Sequence, residues 1–234
     1  MKKILSLFFI LFAYCISYAQ IQYDWELWAT VGIKKNFKKH FSWDASYQIR
    51  ADHDMQAFKS SYISSGLTYE LNKYVAFDLS YRYATNNTRD LHRFSGSLIL
   101  SYKYKKIEFT LRNMYQNERE YFNARYEVGH TPQNFLRERL QVTYAIKKPL
   151  KIEISAEPFL LLTNRGVTLS RIRCIASINY KFLKYHSINL GYLAQPNLPF
   201  TKLTQGITLE YTYTIPDWKK LKKIFKPKSK NPKN

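Results

Sequence analysis

Apolar and polar residues alternate along most of this chain, from Ile21 to Ile215. Near the end of that stretch, Leu209 and Tyr211 flank Glu210, and the same order continues on both sides. Strict alternation sends successive side chains to opposite faces, which is typical of a strand with two unlike faces. No helical period interrupts the alternation, so the sequence predicts an all-β domain.

The alternation restarts after each of a series of turns. Tight, lysine-rich turns such as Lys105-Lys106 alternate with more variable links, of which 121–133 is the longest. Short turns on one rim and longer loops on the other are typical of outer-membrane barrels, whose short turns face the periplasm. We therefore predict an antiparallel up-and-down transmembrane β-barrel of roughly 10–12 strands. The predicted strands are 22–33, 38–51, 59–71, 75–86, 90–104, 107–120, 134–146, 150–162, 167–182, 186–196 and 201–215.

The number of predicted strands is odd, whereas single-chain bacterial barrels have an even number. A strand hidden in a loop such as 121–133, two strands that are really one, or an irregular first strand would each account for this. The sequence leaves the parity open.

The two ends of the chain differ from the strand region. Lys2 and Lys3 precede a short apolar run that ends at Ser17-Tyr18-Ala19, which predicts a cleaved signal peptide over residues 1–19. The run is too short for a membrane-spanning helix. We assign residues 20–216 to the barrel and 217–234 to a disordered basic tail, because lysines and prolines dominate there. That tail is either a solvated terminus or a contact with anionic lipid or cell wall.

Charge and aromatic content refine this interpretation. The formal net charge is +20, and eight lysines without an acid between 219 and 234 supply much of it. Many of the 20 tyrosines lie within a few residues of a short turn, where a membrane-spanning barrel meets the lipid headgroups. A soluble sandwich whose tyrosines pack across strands is the alternative. Cys174 is alone once the signal peptide is removed, so no intramolecular disulfide forms.

Charged residues fall on the face opposite the most apolar one. A charge facing lipid at mid-depth costs about 2–4 kcal/mol, so this face is predicted to line the lumen. The arginines cluster toward the loop side and several acids toward the short turns. The upper lumen is either a site for an anionic ligand or is closed by Arg–Glu pairs, and the small size of the barrel favours pairing. The candidate lumen-lining residues are Glu26, Arg50, Arg82, Arg93, Arg112, Arg137, Arg139, Glu153, Glu157, Arg171 and Arg173.

No motif for catalysis, metal or cofactor binding is present. The sequence contains no nucleotide loop, zinc spacing or calcium loop. His92 and Ser95, and His186 and Ser187, are separated by odd numbers of residues and therefore point to opposite faces of their strands. We predict no catalytic residue, no metal site and no cofactor. Nucleic acid is not an expected partner, since the aromatic side chains follow the apolar face and the basic side chains lie on the opposite one.

Several short motifs, in their order along the chain, resemble one family. They are Trp25 and Trp28, Arg50, Leu79-Ser80-Tyr81-Arg82-Tyr83, His92-Arg93, Arg137-Glu138-Arg139-Leu140, Ala156-Glu157-Pro158-Phe159, Asn164-Arg165, Arg171-Ile172-Arg173 and Gly191-Tyr192 with Gln195. The chain is similar to the DUF2490 family of uncharacterised outer-membrane barrels common in the Bacteroidetes. A glycine expected before Tyr81 is Ser80 here. The resemblance implies fold and location and transfers no catalytic residue.

We therefore expect an outer-membrane barrel that is not an enzyme, either structural or a narrow pore. Its expected partners are outer-membrane lipid and, during assembly, the barrel-insertion machinery, since Gly206, Leu209, Tyr211 and Tyr213 resemble the final-strand signal which that machinery reads. A barrel enzyme acting on membrane lipid or lipid A is the alternative, and it needs a Ser/His/acid cluster at the membrane rim. A secreted soluble β-protein that binds an anionic polymer is the third.

Overall fold

The computed structural model describes residues 22–37, 40–86, 90–120, 132–198 and 201–216. The predicted signal peptide, the predicted basic tail and most of the 121–133 link lie outside the described residues. Within the described ranges, no helix is both long enough and apolar enough to cross a bilayer.

The described residues form eleven strands that close into a barrel, which confirms the predicted all-β barrel class. Each strand is hydrogen-bonded to its neighbours in chain order, and the last strand returns to the first. The strands are β1 (Gln22–Asn36), β2 (Phe41–Asp52), β3 (Ala57–Glu70), β4 (Val75–Thr85), β5 (Asp90–Tyr104), β6 (Ile107–Arg119), β7 (Gln133–Lys147), β8 (Leu150–Thr163), β9 (Gly166–Leu183), β10 (His186–Pro196) and β11 (Lys202–Ile215).

A parallel pair between β1 and β11 closes the barrel. Gln22 lies opposite Lys202 and Lys35 opposite Ile215, so the two strands run the same way. Every other neighbouring pair of these strands is antiparallel. When neighbouring strands alternate in direction, the first and last strands of an odd number run the same way. Closure by a parallel pair is therefore what eleven strands require. The predicted antiparallel barrel of 10–12 strands is therefore confirmed, with this parallel seam as its one departure among the described strands, and no hidden or merged strand is needed.

The links between strands define two rims. We call the rim with links 37–40, 71–74, 105–106, 148–149 and 184–185 the short-turn rim, and the opposite one the loop rim. The contrast in length is weaker than predicted, because β8 and β9 are joined at the loop rim by only Asn164 and Arg165. The 120–132 link accounts for most of the difference. β1 begins at the loop rim, beside the start of β11.

The outer face of the barrel is apolar. Leu79 is 68% exposed, Ile154 60% and Leu140 55%, and all three lie in the central parts of their strands. The thiol of Cys174 is exposed on this face as well. Soluble monomers do not expose an apolar surface that is continuous around the molecule. The alternation predicted from the sequence thus separates an apolar exterior from a charged interior.

The seam between β1 and β11 requires a glycine. A Cβ atom added at Gly206 would lie 2.5 Å from the backbone oxygen of Glu26, and backbone in a paired strand cannot move aside. We expect Gly206→Ala to lower the free energy of unfolding by about 1–3 kcal/mol, the usual cost of overpacking. Denaturant titration of the folded barrel in detergent measures this. Gly32→Ala is the matched control, because its nearest contact would be 3.6 Å. Equal stability of the two variants would contradict a tight seam.

Candidate functional site in the lumen

Large inward side chains fill the half of the lumen nearer the loop rim. Phe159, Leu193 and Gln116 are almost fully buried there, on β8, β10 and β6. We define the plug as the inward side chains Trp28, Arg50, Phe135, Arg137, Glu157, Phe159, Arg171 and Arg173. Its members come from β1, β2, β7, β8 and β9. Because these strands are spread around the wall, the plug crosses the lumen.

Glu157 is the central carboxylate of the plug and is only 3% exposed. Arg112 donates from Nη2 to Oε1 of Glu157 at 2.6 Å, and Arg137 donates from Nη2 to Oε2 at 2.9 Å. Nη1 of Arg173 lies 3.8 Å from the same Oε2. A carboxylate buried this deeply keeps its charge because several cations surround it and hydrogen-bond to it. Glu157 therefore ties β6, β7 and β9 to β8 across the interior.

Aromatic faces hold the arginines of the plug. The guanidinium of Arg173 lies 4.9 Å from the ring centroid of Trp28 and 4.8 Å from that of Phe159. Arg137 and Arg171 also lie over Phe159, at 4.2 and 4.4 Å. The negative face of an aromatic ring attracts a cation, and Arg suits this stacking because its group is planar. The rings thus space positive charges that would otherwise repel one another.

Arg50 and Glu26 extend the plug toward β2 and β3. The guanidinium of Arg50 lies between Trp28, at 3.6 Å, and Tyr62, at 4.3 Å. The indole of Trp28 donates to Oε2 of Glu26 at 2.7 Å, and Lys59 forms an ion pair with the same carboxylate. Arg50 pairs with Ser60 while Ala51 pairs with Phe58, so Lys59 is the extra residue of a bulge. A bulge redirects a side chain, and here it turns Lys59 inward.

A further ion pair joins β5 and β6. Arg93 donates from Nε and Nη2 to Oε2 of Glu118, at 2.9 and 2.6 Å. Gln116 links this pair to the plug, because it donates to Glu118 at 3.1 Å and accepts from Arg137 at 2.7 Å. The polar network is continuous from β5 to β9.

A cavity of about 510 Å³ lies in the lumen on the short-turn side of the plug. Arg82, Arg112 and Arg139 line its upper part, together with the serine hydroxyls of Ser80 and Ser95. Its lower part carries the carboxylates of Asp44, Asp78, Glu153 and Glu210. This polar chamber is positive at the plug and negative toward the short-turn rim.

The structure places the predicted lumen candidates in two groups. Nine line the cavity, four of them as members of the plug, and the other two, Glu26 and Arg171, lie in or against the plug without lining the cavity. The nine are Arg50, Arg82, Arg93, Arg112, Arg137, Arg139, Glu153, Glu157 and Arg173. Glu26 is buried against Trp28, and Arg171 against Phe159 and Phe135.

Sequence reasoning missed the aromatic members of the lumen. We expected aromatic rings to follow the outer face, yet Trp28, Phe135 and Phe159 are buried inside. The signal was present, because each lies two residues from a candidate charge and so shares its face. Lys59 could not be placed in this way, since the bulge breaks the alternation.

His92 and His186 each lie against a tyrosine hydroxyl. Nδ1 of His92 lies 2.7 Å from the hydroxyl of Tyr81, and Nδ1 of His186 lies 2.7 Å from that of Tyr211. In the β2–β3 turn, His53 lies 2.9 Å from a carboxylate oxygen of Asp52, and this hydrogen bond raises the pKa of His53. Within the described ranges, no group of three or more His, Cys, Asp or Glu side chains is arranged to hold a metal ion.

Comparison with known proteins identifies the family. The family model described as "Protein of unknown function (DUF2490)" matches residues 25–204. This chain, a closed barrel with a charged lumen, therefore belongs to the DUF2490 family, as the short motifs predicted. No curated protein matches it.

Two solved structures are similar in outline. One is described as a bacterial polysaccharide outer membrane secretin, with a TM-score of 0.47, 7% identity and coverage of 75% of this chain and 63% of that chain. The other is the siderophore receptor PirA from Pseudomonas aeruginosa, with a TM-score of 0.35, 10% identity and coverage of 77% and 37%. The chain thus spans less than two thirds of either relative, and neither likeness informs function.

Proposed function

We propose that the protein is an outer-membrane β-barrel that is not an enzyme and whose lumen is closed at rest by the plug. The observation that carries this proposal is the division between an apolar exterior and a charged, sealed interior. Leu79 and Ile154 face outward at mid-strand, while Glu157 and its arginines face inward. In lipid every backbone polar group needs a partner, which a closed barrel provides.

The route to this location is part of the same proposal. Residues 1–19 direct export and are removed, and the barrel-insertion machinery then places residues 20–216 in the membrane. The short-turn rim faces the periplasm, as in other bacterial barrels. The first strand then begins on the outer side, because β1 starts at the loop rim.

The plug supports a closed channel rather than an open pore. Phe159 and Leu193 are almost fully buried, and Trp28 is buried with them. Ion pairs and stacked arginines fix these side chains from several strands. A hydrated ion entering from the loop rim has to displace them before it reaches the cavity.

Planar-bilayer recording tests the closed lumen. We expect the wild-type barrel to be electrically silent and the double variant Trp28→Ala/Phe159→Ala to give steady single-channel steps, because the variant removes the two rings on which Arg173 stacks. The matched control is Phe77→Ala/Phe94→Ala, which removes two outward rings and should remain silent. Steady wild-type conductance equal to that of the plug variant would refute the closed lumen.

A further inference from the structure

Arginines outnumber the available carboxylates in the upper part of the cavity. Glu157 is already bonded to Arg112 and Arg137, and Glu118 to Arg93. The Nε of Arg139 is buried without a hydrogen-bond partner, and no ion pair joins its guanidinium to a described carboxylate. Arg82 donates from Nε only to the hydroxyl of Ser64, at 2.8 Å, a neutral acceptor.

Strand register places like charges directly opposite one another around this part of the wall. Arg82 pairs with Arg93 across β4 and β5, and Arg112 pairs with Arg139 across β6 and β7. Like charges directly opposite in a sheet are destabilising. Arg93 and Arg112 each have one carboxylate partner, so the two pairs together leave excess positive charge facing the cavity, which an anion would offset.

In the lower part of the cavity, the carboxylates lack cationic partners. Asp78 accepts only a hydrogen bond from Thr68, at 3.3 Å, and Glu210 one from Thr212, at 3.2 Å. No ion pair within the described ranges involves Asp44 or Glu153. Along β4, Asp78 and Arg82 both face inward and are four residues apart, about 13 Å at the usual rise per residue. With both side chains extended into the lumen, this spacing leaves room for a solute of a few heavy atoms between a negative and a positive group.

We propose that this cavity binds a small zwitterionic solute, with a phosphate or similar oxyanion at Arg112 and Arg139, which lie opposite each other on β6 and β7, and an ammonium group at Asp78 and Asp44. The inference rests on the proposed closed barrel, because the plug makes the short-turn rim the route of entry. Guanidinium groups bind oxyanions through charge-assisted hydrogen bonds, and the hydrogen-bonded hydroxyls of Ser80 and Ser95 leave one further donor free in the same cavity. The continuous wall of paired strands separates the site from lipid, so the ligand is a free solute rather than a headgroup in the bilayer.

Calorimetric titration of the full-length folded barrel in detergent tests this inference with three probes. Phosphoethanolamine carries both charges, inorganic phosphate only the anion and ethanolamine only the cation. We expect phosphoethanolamine to bind about tenfold more tightly than phosphate, the gain from one charge-assisted contact, and ethanolamine to bind most weakly. Equal affinity for phosphoethanolamine and phosphate would overturn the zwitterionic ligand. Absence of binding by a barrel that is silent in bilayers would overturn the site while leaving the closed lumen intact.

Two variants separate the ends of the site. Arg139→Gln should lower the affinity for both phosphate-bearing probes about tenfold, whereas Arg139→Lys, which keeps the charge, should retain most of it. Asp78→Asn should reduce phosphoethanolamine binding to the level of phosphate and leave phosphate binding unchanged. Arg165→Gln, which removes an exposed arginine at the β8–β9 turn, is the control for net charge. Heat-modifiable migration on gels checks that each variant is folded. If Arg139→Gln binds as the wild type does, the assignment is wrong.

Discussion

Glu157→Gln is expected to lower the free energy of unfolding by about 3–5 kcal/mol, the usual cost of removing one partner from a buried ion pair. Glu157 is the carboxylate that Arg112 and Arg137 share, with Arg173 close by. A glutamine keeps the shape of the side chain and one acceptor oxygen but removes the negative charge. The three arginines then repel one another in a part of the lumen where little solvent screens them.

Denaturant titration of the barrel in lipid vesicles measures this loss, with Glu70→Gln as the control. Glu70 is an exposed acid at the short-turn end of β3, so its variant should change stability by less than about 0.5 kcal/mol. If the two variants are equally stable, the Glu157 network does not hold the plug together. Higher conductance of Glu157→Gln, recorded in planar bilayers, is a second expected result.

Alternation predicted the strands and the inward face of the charged residues, but not the buried rings of the plug or the inward Lys59. Arg82, Arg112 and Arg173 all face inward because each sits at an even spacing from its inward neighbours, and lipid excludes charge from the other face. The parallel seam could not be read in this way. The alternation within one strand does not indicate whether its partner runs parallel or antiparallel to it. β1 and β11 also lie at opposite ends of the sequence, so no turn between them sets their direction.

The candidate site was predicted in composition but not in arrangement. The sequence shows an excess of arginine in the upper lumen, and the structure adds which carboxylates those arginines already use. That Arg112 and Arg139 lie opposite each other depends on the register between β6 and β7, which the turn and the packing fix together. The inward turn of Lys59 depends on a bulge, and neither feature leaves a mark in the hydrophobic pattern.

Ile154→Arg is expected to lower the free energy of unfolding of the vesicle-folded barrel by about 2–4 kcal/mol if the barrel spans a membrane. Ile154 lies near the middle of β8, faces outward and is 60% exposed. Its strand neighbours are Val142 on β7 and Ala176 on β9, so no acid stands beside it to pair with the new charge. At this depth an arginine has to leave water for hydrocarbon or draw lipid headgroups inward, and both are unfavourable.

Val167→Arg is the control for this substitution, because Val167 is 64% exposed but lies at the loop-rim end of β9. A charge near the membrane interface costs only about 0–1 kcal/mol, so the two variants should differ clearly in urea titrations of vesicle-folded protein. On a soluble barrel both positions would be ordinary surface sites, with effects within about 0.5 kcal/mol. A small and equal effect of the two substitutions would therefore show that the apolar exterior does not face lipid, and the proposed location would fail with it.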